Sequence, residues 1–304
     1  MSSSPLIIAV VVTYHPETKM LGQQLTALLP QVARVIVVDN GSTSAELASV
    51  PAQGVELIEI GHNRGLAAAQ NIGIERALAA DASHVLLMDQ DSLPAPDMVA
   101  HLLAAFDLAD GGSGAAPIAA VGPRLFDPRS RTNLDYLKKT GGRIHRHPMP
   151  DTASKPLEVE HLIASGCLIP ADVLNEIGLM DESLFIDAID TEWCIRAIVG
   201  GFRLLLEPRA ALTHRLGDNS LRLRTPQRIR TLALHSPARQ YYIFRNNLLL
   251  CRRPYVDWAW RRLMALALPR RLFFYLIFGP RRFAHLRAIS AGILDACNGQ
   301  SGPH

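Results

Sequence analysis

The stretch His84–Val85–Leu86–Leu87–Met88–Asp89–Gln90–Asp91–Ser92 runs from apolar residues straight into two carboxylates one residue apart. A short apolar run bounded by polar residues predicts a buried strand. In an open α/β sheet, ligands bind at the carboxyl ends of strands. Two acids there repel each other and lose hydration, so a compensating charge is needed. A divalent cation carrying a phosphate supplies it, because hard cations take oxygen ligands. An acidic loop or helix cap is the plainer reading, since short motifs match by accident. The surrounding sequence decides between the two.

Outward from this stretch one rhythm repeats. Residues 6–13, rich in Ile and Val, predict a first strand, and 17–29 a helix ended by Pro30. Residues 34–38 predict a second strand, finishing at Asp39-Asn40-Gly41-Ser42, and 55–60 a third. Residues 65–80 have helical composition behind Asn63, which is a suitable cap. Together with the strand at 84–88, this order predicts an α/β fold with a mostly parallel, Rossmann-like sheet flanked by helices. A helix at 96–109 and a Gly/Ala/Ser-rich loop at 110–117 follow. Residues 118–121, 159–169 and 202–206 then read as strands, 171–177 and 190–200 as helices, and the polar, Pro-rich 128–156 as a mobile loop. From about 234 the chain reads as helices broken by Pro254, Pro269 and Pro280.

The 304 residues suffice for one large domain or a domain with an appendage. The net charge of +3 hides an asymmetry: residues 209–304 hold 17 Arg against 3 acids, a balance of +14, and residues 1–208 are at −11. Such polarity suggests an anionic partner for the C-terminal end, solvated helix faces being the plainer alternative. Cys167, Cys194, Cys251 and Cys297 are scattered and form no CxxC pair, so neither a disulfide scaffold nor a zinc site is expected, and a reducing cytosol fits. The N-terminal MSSSPLIIAVVVTYHP lacks a basic n-region and a small-residue cleavage site, so no signal peptide is expected. Its apolar run is too short to span a bilayer.

Four strand-end segments can face one cleft: Thr13-Tyr14-His15, Asp39-Asn40-Gly41-Ser42, Asn63-Arg64-Gly65 and Asp89-Gln90-Asp91. Asp39 suits a nucleobase imide, although the residues alone favour a plain Asx turn. Asn63-Arg64-Gly65 leads into a helix start that favours an anion. Asp187, Asp190 and Glu192 fall near another helix start, where the macrodipole alone favours acids, and Glu192 lies four residues before Arg196. His214 reads as a structural imidazole or a metal ligand. Tyr242, Arg245 and Asn246 share one helix face. Arg fits a diphosphate through its fork, or simply pins the helix.

VVVTYH (10–15), VVDNGS (37–42), NRGLAAAQNIGI (63–74), LLMDQDS (86–92), ASGCLIP (164–170), FIDAIDTEWCIRA (185–197) and THRLGD (213–218) together resemble the family 2 glycosyltransferases. The block ARQYYIFRNN (238–247), and the Gln inside the DxD, resemble the rhamnosyltransferase branch. The resemblance spans about residues 1–250. It implies a GT-A fold over 1–233, with a nucleotide-binding half to about 117, an acceptor half from 118, and a helical, Arg-rich extension over 234–304. It further implies an inverting, metal-dependent rhamnosyltransferase that uses dTDP-rhamnose, with another donor such as UDP-galactofuranose as the alternative. The acceptor implied is a bacterial cell-surface glycan of the O-antigen kind, free or lipid-linked.

By the same resemblance Asp190 is the catalytic base, and Thr13, Tyr14, His15, Asp39, Asn63, Arg64, Gly65, Asp89 and Gln90 bind the nucleotide. Asp91, His214 and Asp89 hold Mg²⁺ or Mn²⁺. Ser165, Gly166, Cys167, Glu192 and Trp193 line the acceptor side, and Arg239 or Arg245 contacts the diphosphate. A noncatalytic, membrane-associated module that kept the fold is the rival from another class.

Residues 252–287 carry nine Arg and one acid, interleaved with Trp258, Trp260, Phe273, Phe274, Tyr275, Phe278 and Phe283. This pattern suggests contact with an anionic membrane, at the inner face of the cytoplasmic membrane for a cytoplasmic protein. A packed helical subdomain is the alternative. Nucleic acid is not an expected partner, because the carboxylate cleft argues against it; a homo-oligomer is compatible with the sequence. The Arg pairs at 252–253, 261–262 and 270–271 repeat every nine residues, which on one straight helix alternates faces.

Overall fold

The computed structural model describes residues 5–48, 50–51, 53–109, 115–150, 152–214, 219–224 and 229–304. The first half alternates as expected: β1 (Ile7–Thr13), α1 (Thr18–Leu28), β2 (Arg34–Asp39), β3 (Val55–Glu59), α2 (Leu66–Leu78), β4 (His84–Asp89), β5 (Ser92–Pro94) and α3 (Met98–Ala109). Then come β6 (Ile118–Asp127), β7 (Thr132–Asn133), β8 (Tyr136–Thr140), β9 (Arg143–His147), β10 (Leu157–Val159), β11 (Cys167–Pro170) and α4 (Ala171–Ile177). A 3₁₀ turn (Glu182–Leu184) leads to α5 (Ile189–Val199), β12 (Arg203–His214), β13 (Asn219–Arg224) and β14 (Ile229–Leu234). Helices α6 (Pro237–Arg252), α7 (Trp258–Phe278) and α8 (Arg282–Cys297) close the chain.

The main sheet runs β10-β12-β6-β11-β4-β1-β2-β3. Its β3-β2-β1-β4 part is parallel, and β1 is buried along its whole length, which is why it reads as an unbroken apolar run. The register pairs Thr13 with Asp39 and Val12 with Asp89, so all three strands end at one edge. Strand β11 runs antiparallel to β4 and β6, making the sheet mixed. Strand β12 is parallel to β6 but bulges between Glu207 and Ala211; its far end then pairs His214 with Ser92, beside the acidic motif.

Several expectations need correction. Residues 128–156 are not simply a loop, because β7 extends the sheet and β8 pairs with β9 as a hairpin. The single strand expected at 159–169 is two, β10 and β11, in different sheet positions. The β13–β14 hairpin was not foreseen. Helix α7 runs through Pro269. The carbonyl that this proline leaves unbonded belongs to Ala265, an exposed residue, so water can satisfy it. The adjacent Leu268 packs with Ile243, Phe244 and Ile289 and keeps the helix in place.

The C-terminal helices share a core with the rest. Trp260, Met264 and Leu250 pack with Ile195 of α5 and Ile144 of β9. The Arg pairs separate by function: Arg252 caps carbonyls of Ala296 and Cys297, Arg253 bridges Asp181, Arg261 bonds the Arg253 carbonyl, and Arg271 bonds Gln240.

Helix α2 crosses β1 at Gly73, where a Cβ would lie 2.2 Å from Val10 Cγ1. Elsewhere a Gly→Ala change inside a helix gains ~0.5–1 kcal/mol. Here overpacking costs ~1–3 kcal/mol and wins. Gly73→Ala is expected to lower the urea midpoint; an unchanged or higher midpoint would show that the contact is not tight.

Candidate active site

The strand ends open into a cleft of about 1340 Å³. That exceeds the ~300–1,000 Å³ of an ordinary ligand pocket and has room for two reactants. Asp89, Asp91 and His214 line it, each offering a ligand atom within 4.8 Å of the others. They come from the end of β4, the turn after it and the end of β12, so the bulge in β12 is what completes the set. Arg215–Asp218, the rest of that sequence motif, lie outside the described residues.

Burial pushes the Asp89 carboxyl up to about 6; His214 opposes the shift, and Asp91 and Asp190 add repulsion. Clustered negative charge with two carboxylates and one imidazole fits a divalent cation such as Mg²⁺ or Mn²⁺. Behind these groups runs a buried relay. The Asp89 amide donates to Ser165 Oγ at 3.1 Å, Ser165 Oγ meets Ser92 Oγ at 2.7 Å, and Ser92 Oγ meets His214 Nδ1 at 2.7 Å. The relay fixes the imidazole ring through Nδ1, the nitrogen that also lies 3.6 Å from Asp91 Oδ1.

Asp190 lines the same cleft. Burial alone would raise its carboxyl. The His161 imidazole, with Nε2 3.6 Å from Oδ2, and the Thr191 amide at 2.8 Å outweigh burial and hold it below the usual carboxylate range. Thr191 Oγ1 lies 3.1 Å from the same His161 nitrogen. The next acid, Asp187, is raised by burial despite a two-oxygen contact with Arg239 at 3.2 Å. The sequence reading missed His161, whose only signal was its place three residues before the small-residue ASGC turn. Asp187 was visible but read as one of several helix-start acids. Trp260 and Arg271, also on the cleft wall, come from α7, which the motifs do not reach.

The remaining candidates divide. Tyr14, Asn63, Gln90, Ser165 and Arg239 line the cleft. Gln90 uses its amide on the Tyr14 backbone, accepting at 2.7 Å and donating at 3.1 Å, and so ties the β1 and β4 loops together. Asp39 is 1 % exposed, and its four acceptor positions are filled by Thr13 Oγ1, Ser42 Oγ and the amides of Gly41 and Ser42. In this arrangement it builds the turn. Thr13 serves that carboxylate, and His15 turns away to Glu46 at 3.0 Å. Asn63 does not cap α2; its side chain bonds Asn40 and the Gly65 amide.

The helix start at Arg64 and Gly65 is partly used as well, since the Leu66 amide donates to the Phe185 carbonyl at 2.6 Å. Glu192 and Trp193 sit in the core rather than on the acceptor wall. Glu192 grips Arg196 at 2.8 Å through both oxygens, as their spacing predicts, and Trp193 Nε1 donates to the Gly178 carbonyl. Gly166 forms a turn at φ +83°, and Cys167 is buried behind it with its thiol pushed up to about 12. Arg245 is 1 % exposed and bonds the carbonyls of Gly302 and Leu184, so Arg239 alone of the two reaches the cleft.

Because Asp89 carries a raised pKa, a cation there must displace a proton as pH falls. Its deprotonated form predominates above about 6 and is progressively lost below. Stabilisation by Mn²⁺ with a nucleoside diphosphate, read as a thermal shift, is therefore expected to shrink tenfold in apparent affinity per pH unit below that value. A pH-independent shift between 5 and 7.5 would remove Asp89 from the cation site.

The profile described as Glycosyl transferase family 2 matches residues 9–177. The chain is 35 % identical over 256 residues to the dTDP-rhamnosyl transferase RfbF of Shigella flexneri, covering 82 % of this chain and 81 % of that one. Among solved structures it resembles S. aureus TarS 1–349, at 15 % identity and TM-score 0.58, covering 95 % of this chain and 80 % of that one. It also resembles GalNAc-T7 with UDP, GalNAc and Mn²⁺, at 14 % identity and TM-score 0.56; it covers 91 % of this chain but spans only 57 % of that longer one. These likenesses show a GT-A fold, and the chain belongs to glycosyl transferase family 2, enzymes that act on nucleotide-sugar donors.

Proposed function

We propose that the protein transfers L-rhamnose from dTDP-rhamnose to a bacterial cell-surface glycan, with inversion at the anomeric carbon. The observation that carries the reading is the meeting, in one cleft, of a cluster that could hold a cation (Asp89, Asp91, His214) and a separate acid held low (Asp190). The 35 % identity to a dTDP-rhamnosyl transferase supports the choice of sugar and nucleotide. Residues 1–233 form the catalytic unit in this reading, and 234–304 complete its wall.

Asp89, Asp91 and His214 would hold a Mg²⁺ or Mn²⁺, which would supply positive charge for the departing diphosphate. Arg239, beside Asp187 on the cleft wall, adds positive charge for the same oxygens. Asp190 accepts the proton of the acceptor hydroxyl as its oxygen bonds to the anomeric carbon from the face opposite the leaving group. The bond to the diphosphate oxygen breaks in the same step, and dTDP leaves with the electron pair. A carboxylate held ionised by His161 is a weak base towards a free alcohol. The alcohol becomes acidic as its new bond forms, so a preorganised carboxylate is sufficient.

The outer face of α7 and α8 supports docking on an anionic bilayer. Trp258, Phe273 and Phe283 are 73 %, 64 % and 89 % exposed, and Arg270, Arg281, Arg282 and Arg287 are exposed with them. Among the described residues no helix is long and apolar enough to cross a membrane. Self-association into a homo-oligomer stays compatible with the same face.

Asp190→Asn is expected to bind dTDP and Mn²⁺ normally and to lose ~10²–10⁴-fold in transfer. Near-normal turnover would remove Asp190 from the role of base. With dTDP at 100 times its Kd the protein should gain ~2.7 kcal/mol, a shift of a few degrees, and UDP at the same concentration should give less. A larger shift with UDP would keep the mechanism and change the donor. Vesicles containing phosphatidylglycerol should sediment the protein in a salt-sensitive manner, and Arg281→Glu with Arg282→Glu should weaken this. Equal binding to neutral vesicles would contradict an electrostatic contact.

A further inference from the structure

The loop between the 3₁₀ turn and α5 holds an unusual conformation. Phe185, Asp187 and Ala188 all have positive φ, at 63°, 66° and 64°, and none is glycine. Each such residue costs of order 1–3 kcal/mol unless its surroundings over-determine it. Asn246 of α6 supplies that determination. It is fully buried, and its Nδ2 lies 2.7, 2.7 and 2.9 Å from the carbonyls of Leu184, Ile186 and Asp187. Arg245 lies alongside: its Nε donates to Asn246 Oδ1 at 3.0 Å and orients the amide, and its Nη2 bonds the Leu184 carbonyl. Its guanidinium lies 4.9 Å from the Tyr242 ring centre, and Tyr242 in turn stacks on Phe185 at 5.1 Å.

The strapped loop lines the cleft and joins two of its elements. On one side the Phe185 carbonyl takes the Leu66 amide, and Gly65 has no room for a Cβ against the Phe185 ring and carbonyl. On the other, the Ala188 carbonyl takes the Glu192 amide and so starts the helix turn that carries Asp190. We propose that Asn246, oriented by Arg245, is a positioning residue: it holds residues 184–188 in a path with three positive-φ residues and thereby sets the acceptor-side acid against the donor-binding helix. The clause about Asp190 rests on its reading as the base; the lock itself does not. The C-terminal Arg-Asn-Asn block is thus part of the active-site framework rather than an accessory to it.

The test is Asn246→Ala, with Asn246→Ser, which keeps one donor, as the milder variant should the first not fold. Amide hydrogen exchange is read at residues 184–192 and at Leu66, together with kcat, acceptor KM and dTDP affinity. Exchange in those two places is expected to accelerate while the rest of the sheet is unchanged. Because a misplacement of about 1 Å costs ~10²-fold, kcat should fall by about that factor in the Ala variant and less in the Ser variant, with dTDP affinity retained. Unchanged exchange in the loop would overturn the lock. Faster exchange with normal kcat would overturn its link to catalysis, provided Asp190→Asn is inactive in the same assay. If Asp190→Asn is itself active, the base assignment falls, and loop exchange alone decides the lock.

Discussion

A carboxylate at the mouth of a buried strand is the constraint on which the rest depends. Strand β4 delivers Asp89 to the sheet edge because its four preceding residues are apolar and buried on both faces. The position desolvates the acid, and Asp91 and Asp190 add like charge. Such a cluster persists only if something balances it. The protein brings His214 in from the far end of β12 and fixes the ring through Ser92 and Ser165. Asp89, Asp91 and His214 are a candidate site for a cation that would balance the remaining charge. Fold and chemistry meet at this point, since a sheet with other connections would not bring the end of β12 beside the end of β4.

The opposite wall obeys a different rule. Asp190 gains its charge from His161 and from the hydrogen bonds at the start of α5, not from a metal. Its environment pushes it down where that of Asp89 pushes it up. Two acids in one cleft, driven apart in this way, suit the two roles proposed for them, cation ligand and proton acceptor. The C-terminal helices belong to this wall. They supply Arg239 and Trp260, share a core with α5, and carry the buried Asn246 that holds the entering loop.

Much of this was legible in the residues. The parallel core announced itself through apolar runs ending in Asp39 and Asp89, and the candidate cation cluster through the DxD and a distant histidine. What escaped depended on pairing across long separations. The β8–β9 hairpin is polar and shows no burial pattern, and β12 extends past a Pro and a bulge. Pro269 broke the expected helix, while packing of Leu268 keeps the real one whole. Asp39 was read by its type, but only coordinates reveal that its own turn fills all four acceptor positions. Arg245 illustrates the same limit: an arginine in a motif looks like an anion ligand until it is found buried against carbonyls.

The most direct test of the central claim is Mn²⁺ binding followed by electron paramagnetic resonance in the presence of dTDP, for the native chain and for His214→Ala and Asp91→Asn. The account predicts one tightly held ion per chain, with affinity reduced at least tenfold in each variant while the fold is retained. Binding that is unchanged when either residue is replaced would contradict a cation site built at the junction of β4 and β12.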